Sequence, residues 1–129
     1  MARWIFSLLS LLLAPFLTTP ASLAADSNQI VLERDVKVTM RDGIILKADI
    51  YRPRADGKFP VLLVRTPYDR RNEASIGVRG AQRGFVVITE DTRGRYGSEG
   101  KFYTFVNEPN DGYDTVEWAA ALPDRKSVG

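Results

Sequence analysis

The chain has 129 residues, 44% hydrophobic and 26% charged, with a net charge of +2; that is enough for one domain with a modest core, and no basic block or stripe offers a footprint for nucleic acid. It contains no cysteine and no histidine. The first absence excludes disulfides, a thiol nucleophile and a cysteine-based zinc site; the second means these residues alone cannot assemble a Ser-His-Asp triad, which needs an imidazole to take and return a proton near neutral pH.

The opening "MARWIFSLLSLLLAPFLTTPASLAAD" places one basic residue, Arg3, before an apolar run from Trp4 to Leu17, followed by a "TTP" break and small residues. This is the three-part pattern of a secretory signal peptide, expected to span residues 1–24 with cleavage after Ala24. The apolar run is short of the ~20 residues needed to span a bilayer. The expected mature product is therefore exported, periplasmic or secreted, with no stable membrane anchor after cleavage.

In the mature chain, from residue 25, "VLERDVKVTM" (Val31 to Met40) alternates apolar and polar residues through Val36, Val38 and Met40 as a half-buried strand does. "RDG" supplies a turn, with Gly43 free to take positive φ. "IILKADIYRP" resumes the alternation at Ile44, Leu46, Ala48 and Ile50, which predicts an antiparallel hairpin. After the loop "PRADGKF", the run "PVLLVR" has no alternation and predicts a strand buried on both faces of a parallel sheet. A short helix is expected over Ala74 to Arg83, stopped by Gly84 as a C-terminal cap. "FVVITE" then predicts a second buried strand. Strand, helix, strand with short links forms a βαβ unit, so the fold class is α/β.

Residues 91–110, "DTRGRYGSEGKFYTFVNEPN", predict a long loop, and loops near 20 residues inside a compact domain tend to be functional. Gly94, Gly97 and Gly100 lack the Gly-Lys-Ser/Thr ending of a phosphate-binding loop. "DGYDTVEWAAALP" predicts a helix whose positive end suits Asp111 and Asp114, with Val116, Ala119 and Ala120 on its apolar face. Glu108, Asp111, Asp114 and Glu117 read as acids near a helix N-terminus rather than a metal cluster or catalytic carboxylate pair. The tail "DRKSVG" ends where another strand begins to form.

The corner "RTPYDR" after the first buried strand is the most informative short stretch. Pro67 fixes φ and stiffens it, and Tyr68 follows at once. A phenol donates one hydrogen bond while neutral, so Tyr68 fits either a preset donor or a tyrosine packed at a sheet edge with its hydroxyl in water. Asp69 and Arg70 read as surface charges or a local ion pair. Asp91 and Arg93 read as braces of the loop floor.

Taken in order, "MRDGIILKADIYRP", "FPVLLVRTPYDR", "RGFVVITEDTRGRYGSEGKF" and "NEPNDGYDTVEWAA" resemble the N-terminal part of the X-Pro dipeptidyl-peptidase (S15) and cocaine esterase-like α/β-hydrolases, from about Val36 to Gly129. The resemblance implies a larger serine hydrolase with a helical cap and a C-terminal jelly roll, acting through a Ser-Asp-His triad on a small-molecule ester or peptide-like amide. It implies an N-terminal part of the α/β-hydrolase sheet, with the antiparallel hairpin leading into parallel strands and flanking helices, cut before the nucleophile elbow. This chain by itself is expected to be inactive, without Ser nucleophile, acid or His. The triad order in this fold puts the acid after the nucleophile, which excludes Asp91 as triad acid. The resemblance makes Tyr68 an oxyanion-hole donor, with Tyr96 and Glu99 as possible pocket residues. No cofactor or metal is implied, and oligomeric state is not legible. The competing reading is a non-catalytic secreted binding module on a hydrolase-derived scaffold.

Overall fold

A computed structural model describes residues 30–123; the expected signal peptide and the "SVG" tail lie outside that range. Strands β1 (Ile30–Thr39) and β2 (Ile45–Pro53) form the antiparallel hairpin. Gly43 turns it at φ +83, with its N–H donating to Met40 O at 2.9 Å. β3 (Val61–Thr66) leads through a 3-10 turn (Arg70–Glu73) into helix α1 (Ala74–Gln82), and β4 (Val86–Asp91) and helix α2 (Glu108–Ala120) follow. The sheet order is β1-β2-β4-β3: β4 runs antiparallel to β2 and parallel to β3.

Each helix covers one face of the sheet. On one side Val38, Met40, Leu46, Ala48, Ile50, Val86 and Ile88 are buried with Ala119 of α2, and Trp118 packs against them. On the other, Tyr51 and Val87 meet Ala81 of α1, flanked by Val78 and Phe85. The alternation along β2 and β4 sends neighbouring residues to opposite layers, so both faces of these strands are apolar. α1 approaches closely because it presents glycines to the sheet: a Cβ on Gly77 would lie 2.4 Å from the Tyr51 ring, and one on Gly80 2.4 Å from Val87. The helix ends as expected, with Gly84 at φ +88 and its N–H bonded to Ala81 O.

Three expectations need correction. β4 is buried throughout, but β3 is the edge of the described sheet, and Leu62 is 42% exposed on it. The strand's composition shows apolar faces, whereas its exposure depends on what pairs beyond it. α2 begins at Glu108 rather than Asp111, because Pro109 falls in the first turn, where a missing N–H costs nothing. Val116 is exposed, and the inward positions of α2 are Asp111, Thr115 and Ala119.

Candidate active site

Because β3 and β4 are parallel, their C-terminal ends lie side by side and the loops leaving them share one rim, where open α/β sheets place their ligands. The β3 loop contributes Pro67 and Tyr68. The β4 loop contributes Thr92, Arg95, Phe102 and Phe105. With Arg65 and Glu108 these residues line a cavity of about 470 Å³.

Tyr68 stands at this rim with 72% of its surface exposed. Its backbone is fixed on both sides: Tyr68 N–H donates to Thr66 Oγ1 at 3.1 Å, and Asn72 Nδ2 donates to Tyr68 O at 2.7 Å. Asp69 follows at φ +80, a region that non-glycine residues seldom enter. Its carboxylate receives Arg71 N–H at 3.0 Å and pairs with the Arg71 guanidinium, which holds its pKa down at about 2. Tyr96 and Phe105 are also at positive φ. Backbone in sparsely populated regions concentrates at functional sites, and three such residues lie on these two loops.

Under the corner, Arg70 is 5% exposed rather than a surface charge. Its Nε donates to Asp49 Oδ1 at 3.0 Å, its two terminal nitrogens pair with Asp91 and Asp35, and its backbone N–H donates to Asp91 Oδ1 at 2.7 Å. Asp91 also accepts from Gly97 N–H at 3.2 Å, so it braces the loop floor through Arg70 and Gly97. Arg93 braces the other side of the loop, bridging Asp111 and Asp42 with contacts of 2.7 Å to each. Three acids of α2 share this pattern: Glu108 pairs with Arg65, Asp111 with Arg93, and Asp114 with Arg41. They fasten the helix to the sheet and the hairpin turn, a role that helix-end position alone did not reveal.

The two other expected pocket residues are not among those lining the Tyr68 cavity. Tyr96 lines a second cavity, with Arg34, Asp35, Asp49, Arg70 and Arg71. Glu99 is bound to the start of β2, its N–H donating to Ile45 O at 2.9 Å and its carboxylate accepting from Ile45 N–H at 3.1 Å. Residues that sequence reading passed over, Arg65, Thr92, Arg95, Phe102 and Phe105, join Tyr68 instead. The signal that could have found them was their place at the end of, or in the loop leaving, one of the two parallel strands. Among the described residues, no group of three or more His, Cys, Asp or Glu is arranged to hold a metal, and no helix is long and apolar enough to cross a membrane.

Glu90 is fully buried behind Arg65 of the cavity wall, 2.7 Å from Arg65 Nε and within 3.1 Å of the Thr115 hydroxyl. Burial pushes its carboxyl up to about 7 against the pull of Arg65 and Thr115. The folded pKa lies above the unfolded one, so the unfolded chain ionises first as pH rises and the fold loses stability between about pH 4.5 and pH 7. Glu90→Gln is expected to remove that component. Urea midpoints measured across the window for both proteins test this, and parallel pH profiles would refute it.

The sequence model of the X-Pro dipeptidyl-peptidase (S15 family) matches residues 42–127. A cocaine esterase from Rhodococcus sp. (strain MB1 Bresler) is 42% identical over 99 residues, covering 72% of this chain and 17% of the esterase. A CocE/NonD family hydrolase from Staphylococcus aureus superposes with a TM-score of 0.69 at 27% identity, over 75% of this chain and 21% of that one. For a solved alpha-amino acid ester hydrolase the TM-score is 0.64 at 25% identity, over 88% of this chain and 22% of the hydrolase. The chain thus spans about a fifth of the length of these relatives.

Proposed function

The chain belongs to the X-Pro dipeptidyl-peptidase (S15) family, and from that premise we propose that it forms the N-terminal portion of an exported serine hydrolase. This hydrolase cleaves ester or peptide-like amide bonds of small molecules through an acyl-enzyme, and Tyr68 is one of its oxyanion donors. The family's curated and solved relatives are hydrolases, and the described sheet is the partial α/β-hydrolase arrangement found in them. The observation that carries the reading is the Tyr68 corner: an exposed phenol on a backbone fixed from both sides, at the carboxyl end of a parallel strand and beside a cavity.

In this chemistry a serine hydroxyl attacks the scissile carbonyl carbon and a base takes the hydroxyl proton. The carbonyl oxygen gains the negative charge and accepts the Tyr68 hydrogen bond. Collapse expels the alcohol or amine, which takes the proton back, and water then releases the acyl group. The sequence has no histidine, so the base is supplied from outside these residues and residues 1–129 alone are expected to be inactive. A donor already aimed at the developing charge stabilises the transition state without reorganising when the reaction occurs.

The test is steady-state hydrolysis by the complete gene product on p-nitrophenyl esters and an X-Pro p-nitroanilide. Tyr68→Phe keeps the ring and removes the donor, and it is expected to lower kcat about 100-fold with KM nearly unchanged. An unchanged kcat would remove Tyr68 from the chemistry. Absence of hydrolysis by the parent on every substrate, with binding retained, would favour a non-catalytic module.

A further inference from the structure

We propose that Arg95 is the positioning residue for Tyr68, and this inference rests on the reading of Tyr68 as an oxyanion donor. Arg95 leaves the β4 loop and crosses to the β3 loop, where its Nε donates to Pro67 O at 2.9 Å. That carbonyl belongs to the peptide unit joining Pro67 to Tyr68, and the N–H of the same unit donates to Thr66 Oγ1. Both ends of one peptide plane are therefore held, and the plane sets the direction in which the Tyr68 side chain leaves the backbone.

The two other hydrogen bonds to the Tyr68 backbone, from Thr66 and Asn72, come from its own segment and move with it. Arg95 is different, because it registers the corner against a separate loop. The bond to Pro67 is charge-assisted, which makes it stronger than a neutral one. The guanidinium is itself steadied by ring contacts, 5.2 Å from the Phe102 centroid and 5.3 Å from that of Tyr96. Oxyanion donors lose their effect when displaced by a fraction of an ångström. A fixed guanidinium on the peptide preceding the phenol is a means of preventing that.

The experiment is a double-mutant cycle in the complete gene product. Arg95→Met retains an unbranched chain beside Phe102 and removes the donor. It is expected to lower kcat about tenfold, with KM within about twofold of the parent, and Arg95→Lys, which keeps a cationic donor, is expected to recover most of the loss. In a Tyr68→Phe background, Arg95→Met is expected to add less than about twofold, because the group it positions is gone. A full tenfold loss in that background, or a raised KM with unchanged kcat, would overturn the proposal.

Hydrogen exchange provides a readout that does not depend on activity. The Tyr68 amide is expected to exchange severalfold faster in Arg95→Met than in the parent, and unchanged exchange would also overturn the proposal. If Tyr68→Phe leaves kcat intact, the oxyanion reading falls, and the exchange result alone decides whether Arg95 holds the corner.

Discussion

Replacing Arg70 by methionine is expected to destabilise the fold by about 3–5 kcal/mol, the cost of removing one partner from a buried ionic cluster. One guanidinium here faces three carboxylates, two of which, Asp49 and Asp91, are almost completely buried. Methionine fills much of the volume but leaves two almost fully buried carboxylates without their cation. Each partner also belongs to a different piece of the fold. Asp35 lies at the irregularity between Glu33 and Val36 in β1, Asp49 is in the middle of β2, and Asp91 ends β4. Arg70 joins all three to the segment that begins two residues after Tyr68, so the loss is expected to reach the Tyr68 corner as well as the sheet. Lysine retains the charge but cannot present three donors in one plane, so Arg70→Lys is expected to fall between parent and methionine. Urea unfolding followed by tryptophan fluorescence reads the effect, since Trp118 packs against the core. A loss below about 1 kcal/mol, the range of an exposed pair, would show that the cluster does not carry this part of the fold.

Arg70 also shows where sequence reading stops. "YDRRNE" presents four charges in six residues, a pattern that ordinarily marks a solvated surface, and Asp69 with Arg71 fits it. Which arginine turns inward is decided by Asp49 and Asp91, each 21 residues away, and by Asp35, 35 residues away. No local period encodes that meeting. The hairpin was legible because alternation and the "RDG" turn are local, and β4 because "FVVI" is an unalternated apolar run. The exposure of Leu62 was not legible, since edge or centre is a property of the whole sheet. The Tyr68 corner could be read as a stiff strand exit, whereas its companions Arg95, Phe102 and Phe105 reach it only because β3 and β4 end side by side.

The same loop contains the second large expected effect, at Gly94. Its φ is +71, in the left-handed region that costs other residues about 1–2 kcal/mol. The space around it is more restrictive than the dihedral. A Cβ at this position would lie 2.2 Å from the backbone N of Phe102 and 2.5 Å from the carbonyl carbon of Lys101. A crowded side chain can change rotamer, but backbone can only move as a segment. Here the segment is tied in place, with Gly94 N–H donating to Glu99 O at 2.8 Å and Ser98 Oγ donating to Asp91 O at 2.6 Å. Gly94→Ala is therefore expected to cost about 3 kcal/mol, combining the dihedral penalty with that of overpacking. The displacement would fall on the strand of loop carrying Phe102 and, one residue from the substitution, on Arg95. In the complete gene product the hydrolysis proposed above is accordingly expected to fall further than stability alone explains, with kcat/KM lower even where the protein is fully folded. Denaturation and kinetics on the same variant separate the two effects. A Gly94→Ala protein within about 0.5 kcal/mol of the parent, as expected of an ordinary surface change, would mean that the loop can open away from Phe102. The rigidity assigned to the Tyr68 cavity would then have to come from the β3 side alone.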